Sequence, residues 1–295
     1  QSLVSNYSEN ELAASVLFGS GELQILTDAN ETVLIRENPA IPGRVDVQIG
    51  TTSTAATTAP SLPNVQAANV TSIVIITGSG NNSIDLSGVG ASVFTGLPTI
   101  SVQGGNGDDI IIGSPDLAMT ASGQDGDDTI TGGSGNDTLN GGDGDDLISG
   151  LAGDDSIDAD DGDDVVMGGD GNDTIEAGDG NDTVDGGLGD DNVRGGDGLD
   201  NISGNDGQDT LNGNSGDDTV SGDAGADFLL GGGGADLVNG GDGDDTLLGQ
   251  SGRDTLLGDG GADFADGGNA ADSIEGGTGN DTLNGMAGAD TIVGR

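Results

Sequence analysis

Residues 132–140 read GGSGNDTLN and residues 168–176 read GGDGNDTIE, two copies of a nine-residue unit that dominates the chain. From Gly123 to Val293 the sequence divides into nineteen such units without a gap. Position one is glycine in 17 units, position four is glycine in 18, position six is aspartate in all nineteen, and position eight is Ile, Leu or Val in 18. A disordered acidic tract has no reason to keep this register, so the sequence predicts a folded array of repeats.

Each unit combines a turn with a minimal strand. Glycines at positions one and four suit a turn that needs positive φ or close backbone approach, where carbonyl oxygens can converge. The aspartate at position six adds a carboxylate, and hard oxygen ligands without nitrogen or sulfur favour calcium over transition metals and over magnesium. Thr138-Leu139-Asn140, which closes one unit, alternates polar, apolar and polar residues and is typical of a strand with one inward side chain.

The candidate calcium ligands are the position-six aspartates and the equivalent aspartate of a further unit that starts at Gly104. They are Asp109, Asp128, Asp137, Asp146, Asp155, Asp164, Asp173, Asp182, Asp191, Asp200, Asp209, Asp218, Asp227, Asp236, Asp245, Asp254, Asp263, Asp272, Asp281 and Asp290. Between this further unit and the array, the ten residues 113–122 lack the motif and shift the frame by one.

The composition excludes several kinds of function. The 295 residues carry 53 acidic and 5 basic side chains, a formal net charge of −48, with no histidine or cysteine. Zinc and iron–sulfur sites and Ser-His-Asp or Cys-His catalysis are therefore excluded. So acidic a chain repels nucleic acid and anionic membrane faces. Its longest apolar runs, such as Ile73–Ile76, fall far short of the ~20 residues that cross a bilayer, so we expect no membrane insertion.

The unit, GGxGxD followed by any residue, an apolar residue and any residue, resembles the RTX (repeats-in-toxin) family of hemolysin-type calcium-binding repeats. The resemblance implies an all-β fold, a parallel β-roll or β-solenoid in which two units form one coil and turns stack in two columns. It also implies that calcium lies between successive turns, shared by aspartates 18 residues apart, such as Asp128 with Asp146 and Asp137 with Asp155.

The net charge agrees with metal between the turns. Nineteen turns in two columns leave about 17 gaps, and about 17 calcium ions would reduce the charge of −48 to about −14. Without metal, aspartates stacked about 4.8 Å apart repel one another. One aliphatic side chain per nine residues is too small a core to offset chain entropy, so we expect metal binding and folding to be one event.

The chain divides into four predicted segments. These are a small N-terminal β-rich head or assembly segment at residues 1–50, a Thr/Ala/Pro-rich linker at 51–67, Asp-poor solenoid coils at 68–103, and the calcium-binding β-roll at 104–295. A head of this size needs to dock onto the solenoid or onto another subunit to complete a core.

Three strands and one short helix are predicted inside the head. Leu23–Leu26 and Thr32–Ile35 are predicted to form a hairpin, and Val45–Ile49 alternates like a third strand. Residues 8–18 open with a capping box, Ser8 with Glu11, which predicts a short helix.

Upstream of Gly104 the nine-residue frame persists weakly, which predicts coils that mostly lack calcium. Residues 77–85 look like a decayed unit with Asn82 in the aspartate slot. Ordinary β-structure with accidental spacing is the alternative. Counting back from Gly104, the apolar position falls at Ile75, Ile84, Val93 and Val102.

Side chains at positions seven and nine should face solvent, and three units expose apolar ones there. The candidate partner patch consists of Phe228, Leu230, Leu248 and Phe264, and the opposite sheet adds Leu237 and Leu257. A contiguous apolar patch is typical of a partner surface, here for self-association. The alternatives are a face covered by the head of the same chain and tolerated scatter.

The sequence offers little for catalysis. Metal ligation accounts for the repeated carboxylates, and neither HExxH nor GxSxG with a histidine occurs, so we expect no enzyme. Ice binding needs ranks of threonine in the turns, but position three is threonine only at Thr278. The chain begins at Gln1 and stops in frame at Arg295, which leaves the last coil open. Either it is a fragment or something covers that end, and head-to-tail stacking of identical subunits would do so.

We therefore expect a secreted, extracellular or cell-surface structural protein that is calcium-loaded and assembles into a fibre, matrix or surface layer. The resemblance implies a bacterial source. The alternative is a calcium-folding and secretion module, or an adhesin stalk, excerpted from a larger exoprotein. Calcium is abundant outside cells and scarce in the cytosol, so the sites would fill only after export.

Overall fold

A computed structural model describes residues 3–6, 15–19, 22–27, 31–37, 45–51, 69–92, 94 and 100–294. Contacts along the backbone group the chain into two compact units, Gln1–Ala152 and Gly153–Arg295. The regular elements in these ranges are all β-strands. Among the same residues, no helix is long and apolar enough to cross a membrane.

The first unit contains the strands β1 to β13. They are β1 (Leu3–Asn6), β2 (Ser15–Gly19), β3 (Glu22–Leu26), β4 (Glu31–Glu37), β5 (Val45–Thr51), β6 (Ser72–Ile76), β7 (Ser83–Gly88), β8 (Ile100–Asn106), β9 (Ile110–Ile112), β10 (Thr120–Asp125), β11 (Thr129–Gly133), β12 (Thr138–Asp143) and β13 (Leu147–Ala152).

The second unit contains the strands β14 to β29. They are β14 (Ser156–Asp161), β15 (Val165–Asp170), β16 (Thr174–Asp179), β17 (Thr183–Leu188), β18 (Asn192–Asp197), β19 (Asn201–Asp206), β20 (Thr210–Ser215), β21 (Thr219–Ala224), β22 (Phe228–Gly233), β23 (Leu237–Asp242), β24 (Thr246–Ser251), β25 (Thr255–Gly260), β26 (Phe264–Asp266), β27 (Ser273–Glu275), β28 (Thr282–Asn284) and β29 (Thr291–Val293).

The second unit is a regular parallel β-solenoid. Its even-numbered strands form one sheet and its odd-numbered strands form the other, so successive strands alternate between the two sheets. Neighbours in a sheet pair in parallel with partners 18 residues apart, as Ile175 with Val193. Two nine-residue units therefore make one coil, which confirms the predicted fold class.

In the first unit, taken by itself, β3, β6, β8, β10 and β12 pair in parallel in one sheet, and β4, β7, β9, β11 and β13 pair in parallel in the other. Antiparallel strands extend both sheets at the N-terminal side: β1 and β2 beyond β3, and β5 beyond β4. The strand predicted at Val45–Ile49 is confirmed as part of β5.

The core of each coil is a single file of aliphatic side chains at position eight. Val166, Ile175, Val184 and Val193 are 0–2% exposed, while the flanking positions seven and nine point outward. This alternation is the period of two that a strand imposes. With only two such side chains per coil, the apolar core is thin.

Two predictions for the head are wrong. β3 and β4 do not form a hairpin, because they lie in different sheets and pair in parallel with β6 and β7, Ile25 with Ile75 and Val33 with Ile84. A polar corner of a coil and a hairpin turn look alike in sequence. The predicted helix is replaced at Ser15–Gly19 by β2, whose pairing with β1 and β3 overrides the local capping signal. Residues 7–14 lie outside the described ranges.

The frame upstream of Gly104 belongs to the same two sheets. Ile75, Ile84 and Val102 are buried on β6, β7 and β8. Partners in β6 and β8 are 27 residues apart, as Ile75 with Val102, rather than the 18 found between later coils. Val93 and the segment 52–67 lie outside the described residues.

Candidate metal centre

Within each unit, a position-six aspartate holds the turn of the preceding coil through one carboxylate oxygen. In the second unit the Asp236 N–H donates to Oδ1 of Asp254 at 3.0 Å, and the Asp254 N–H donates to Oδ1 of Asp272 at 3.0 Å. In the first unit the Asp128 N–H donates to Oδ1 of Asp146 at 2.6 Å. Within each unit, aspartates 18 residues apart are therefore in contact.

The other carboxylate oxygen, Oδ2, is buried and has no hydrogen-bond partner among the described residues. The residues in this state are Asp109, Asp128, Asp173, Asp182, Asp191, Asp200, Asp209, Asp218, Asp227, Asp236, Asp245, Asp254, Asp263 and Asp272. Their side chains are only 1–3% exposed. Leaving a buried carboxylate oxygen without a partner costs on the order of 1–3 kcal/mol or more, so a row of them calls for a cation.

The glycine at position one leaves open the space in front of Oδ2. A Cβ placed on Gly249 would lie 2.5 Å from Oδ2 of Asp254 and 2.7 Å from the carbonyl oxygen of Gly267 in the next coil. A carboxylate oxygen and a main-chain carbonyl thus converge on a space that any side chain at position one would fill. Position one is therefore glycine for close approach, whereas the position-four glycine Gly252 adopts a left-handed φ of 141°.

Burial makes these carboxylates resist ionisation. Desolvation is the largest cause and raises the pKa of Asp128 to about 7 and that of Asp191 to about 7. Repulsion from neighbouring aspartates of the same stack adds to it, while the hydrogen bond from the preceding turn lowers the pKa. The pKa of Asp254 is raised for the same leading reason. A bound divalent cation would reverse this balance by favouring the charged form.

The donor set fits a hard cation. In the part of the chain that the structure describes, no three His, Cys, Asp or Glu side chains form a cage, so a site has to combine carboxylates with main-chain carbonyls. Each gap offers oxygen atoms from two coils, such as Oδ2 of Asp254 and the carbonyl of Gly267. Calcium accepts mixed carboxylate and carbonyl oxygens in a flexible shell, whereas magnesium demands a tight octahedron.

The predicted site residues fall into two groups. Eighteen of the twenty, from Asp109 to Asp272, are buried in the turns of their own unit. Asp281 and Asp290 are half-buried, although their Oδ1 atoms still accept the N–H of Asp263 and Asp272 at 3.2 Å.

Two slots equivalent to position six hold another residue. Met119, in the ten-residue insertion, donates its N–H to Oδ1 of Asp137 at 2.7 Å. Asn82, in the decayed unit, donates its N–H to Oδ1 of Asp109 at 2.6 Å. The turn geometry therefore persists where the carboxylate is missing, and these gaps offer one carboxylate instead of two.

Position two, which the sequence analysis did not single out, also needs left-handed backbone. Asn205 (φ 69°), Asn214 (φ 72°) and Asp223 (φ 68°) occupy it without being glycine. Asparagine and aspartate tolerate this region better than other side chains. The frequency of Gly, Asn and Asp at position two is the signal that could have found it.

A family model described as the RTX calcium-binding nonapeptide repeat matches residues 101–116, 122–157, 158–193, 194–229, 230–265 and 266–295. These segments cover about two thirds of the chain and coincide with the coils that carry the buried aspartates. No curated protein matches the chain.

Proposed function

The chain belongs to the RTX calcium-binding nonapeptide repeat family, and on that basis we propose that calcium fills the gaps between its stacked position-six aspartates and drives its folding. RTX repeats bind calcium in a β-roll. The finer proposal concerns which residues hold the ions: Oδ2 of each position-six aspartate and the position-one carbonyl of the next coil. Bound calcium supplies positive charge to carboxylates that are otherwise buried without a partner.

One observation carries this proposal: the buried Oδ2 atoms of the fourteen aspartates named above, which have no hydrogen-bond donor among the described residues. A folded chain without cations would bury like charges at strand spacing over a core of two aliphatic residues per coil. With about 17 ions, one for each gap between turns, the core would be neutralised from within. Metal binding and folding are then one process.

Far-UV circular dichroism tests this coupling. We expect a β signal in millimolar calcium, its loss in excess EDTA at neutral pH, and no recovery with equimolar magnesium. Isothermal titration should count many ions per chain. An unchanged β signal in EDTA, or equal recovery with magnesium, contradicts the proposal.

We further propose that the calcium-loaded chain is an extracellular structural protein that self-associates into a fibre, matrix or surface layer. RTX repeat proteins are typically secreted by bacteria, and calcium is abundant only outside the cell. The repeats offer a buried stack of ion ligands and no His- or Cys-based machinery, so the proposed role is structural rather than catalytic.

The partner patch lies on the outer face of one sheet in the second unit. Phe228 is 40% exposed and Phe264 is 39% exposed, and both are in register with Thr246 between them. Leu230 pairs with Leu248 in the adjacent row. Asp266 follows Leu248 in the same row, but the four side chains of the patch are apolar, so a second copy could contact them with less charge repulsion than elsewhere on an acidic chain, which supports self-association.

Electron microscopy of the chain in calcium tests the assembly. We expect filaments or sheets, and the double variant Phe228→Ser with Phe264→Ser should abolish them while the circular dichroism stays unchanged. Leu188→Ser is the matched control, because Leu188 is 49% exposed but lies outside the patch. Short single rods from the unaltered chain would instead favour the excerpted secretion module or adhesin stalk.

A further inference from the structure

A second ladder of hydrogen bonds runs through the turns at position five. In the second unit the Asn172 N–H donates to Oδ1 of Asp154 at 3.1 Å, the Asp190 N–H to Oδ1 of Asn172 at 2.9 Å, and the Gln208 N–H to Oδ1 of Asp190 at 2.9 Å. In each rung a side-chain oxygen of one coil accepts the position-five N–H of the next coil. The other column repeats the arrangement.

That other column has rungs from Asp163 to Asn181, at 2.8 Å, and from Asn181 to Leu199, at 3.1 Å. The first unit has the same ladder through Asp108 and Asp127. The repeat consensus leaves position five open to any residue, so its sequence alone does not point to this ladder.

The two ladders run in opposite directions. The position-five N–H donates to the preceding coil, whereas the position-six N–H donates to Oδ1 in the following coil, as Asp182 does to Asp200 at 3.0 Å. Two adjacent N–H groups of one turn therefore hydrogen-bond to the coils on either side of it. This fixes the backbone immediately before the aspartate whose Oδ2 faces the gap between turns.

The position-five ladder is complete in one part of the second unit and broken in the rest. Between residues 154 and 208, five successive position-five side chains each accept the position-five N–H of the following coil. They are Asp154, Asp163, Asn172, Asn181 and Asp190. Beyond Gln208 only Asp217 and Asp244 do so, towards Ala235 and Ala262. Several position-five side chains have no oxygen and end a rung. They are Leu199, Ala226, Ala235, Arg253, Ala262 and Ala271.

We propose that the position-five side-chain oxygen positions the turn for calcium, so that the sites of residues 154–208 fill at lower calcium than those of residues 209–290. The inference rests on the proposed calcium binding. A turn already held in the binding conformation loses less freedom when the ion binds, which raises affinity without a new ligand. Position five is a positioning residue here, because its side chain acts on the neighbouring turn and not on the ion.

Hydrogen exchange measured by mass spectrometry over a calcium titration tests the order of filling. Peptides from residues 154–208 should become protected at a lower calcium concentration than peptides from residues 209–290. Protection of both segments at one calcium concentration, or of the later segment first, overturns the proposal. Absence of any calcium-dependent protection would contradict the proposed calcium binding itself.

Neutral substitutions separate the ladder from charge. The double variant Asn172→Ala with Asn181→Ala removes two acceptors from exposed side chains, and the bond from Asn181 Nδ2 to Asp163 Oδ1, without changing the net charge. The calcium concentration that half-protects residues 154–208 should rise about twofold. Loss of one hydrogen bond should weaken the calcium affinity of its own site roughly fivefold. The midpoint of the whole segment shifts less, because the other sites of the segment keep their affinity.

Two further variants complete the test. Asn172→Asp with Asn181→Asp keeps both Oδ1 acceptors but adds two negative charges, so its midpoint should be no higher than that of the unaltered chain. A midpoint raised as in the double alanine variant would contradict a role in positioning. Gln208→Ala is the matched control, because the exposed Gln208 side chain accepts no position-five N–H in the described coils. A midpoint unchanged by the double alanine variant, or raised equally by Gln208→Ala, overturns the proposal.

Discussion

Replacement of Gly249 by alanine tests the space in front of the aspartate more directly than replacement of the aspartate. The new Cβ would lie 2.5 Å from Oδ2 of Asp254 and 2.7 Å from the Gly267 carbonyl oxygen, where ordinary contact begins near 3.4 Å. The carboxylate or the next coil has to move by about 0.9 Å, and an overpacked site of this kind costs about 1–3 kcal/mol. The methyl group also occupies the gap proposed for calcium.

The matched control is Gly233→Ala. Neither Gly249 nor Gly233 has a left-handed φ, so backbone strain does not distinguish them. A Cβ on Gly233 would lie 3.8 Å from its nearest neighbour, the Asn214 carbonyl oxygen, which is ordinary contact. We expect Gly233→Ala to leave stability unchanged or raise it by up to about 1 kcal/mol, through the unfolded chain.

The assay is thermal unfolding at fixed calcium, combined with isothermal titration for the number of ions. Gly249→Ala should lower the melting temperature and remove about one ion per chain, whereas Gly233→Ala should do neither. If both variants unfold and titrate alike, the space at position one is not part of a calcium site.

Three other outcomes follow from the same turns. Burial raises the pKa of Asp128 and of Asp191 to about 7, well above the unfolded value of 3.8. The metal-free fold therefore binds more protons than the unfolded chain and loses stability as pH rises from about 4 to 7. Dialysed, metal-free protein should show more β signal in circular dichroism at pH 5 than at pH 7.5, and an equal signal contradicts this. Calcium binding near pH 6 should release protons, detectable as a dependence of the binding enthalpy on buffer, while a buffer-independent enthalpy would mean that the carboxylates are already ionised. Asp191→Asn should weaken calcium-dependent folding more than Asp190→Asn, because Asp191 is 2% exposed in the stack and Asp190 is exposed at position five. Calcium titrations followed by circular dichroism measure this difference, and equal effects would argue against position six as the ligand.

Much of the site could be predicted from the repeat alone. Position six is aspartate in every unit of the array, and the structure places eighteen of the twenty predicted aspartates in buried stacks. A residue type that recurs every nine positions must meet the same surroundings in every coil, so one argument about a single turn applies to all of them. The different roles of the two carboxylate oxygens could not be predicted, because they depend on the neighbouring coil. Oδ1 accepts a main-chain N–H, whereas Oδ2 faces the gap between turns.

The head shows the opposite case. The apolar alternation of Leu23 to Ile25 and of Val33 to Ile35 is correct for strands, but it is equally compatible with a hairpin and with two sides of a coil. Only the parallel partners β6 and β7 decide between them. The capping signal near Ser8 failed at β2 for the same reason, since strand pairing is a contact between segments distant in sequence.

By itself, then, the sequence determined the length of the repeat, the inward-facing side chain at position eight and the aspartate of the turn. These features are local, and their recurrence in nineteen units is too regular to arise by chance. The tertiary structure alone decided which strands pair, which glycine leaves room for a cation and which side chains link one coil to the next. Each of those depends on atoms 18 or more residues away, brought within hydrogen-bond distance only when the chain winds back on itself.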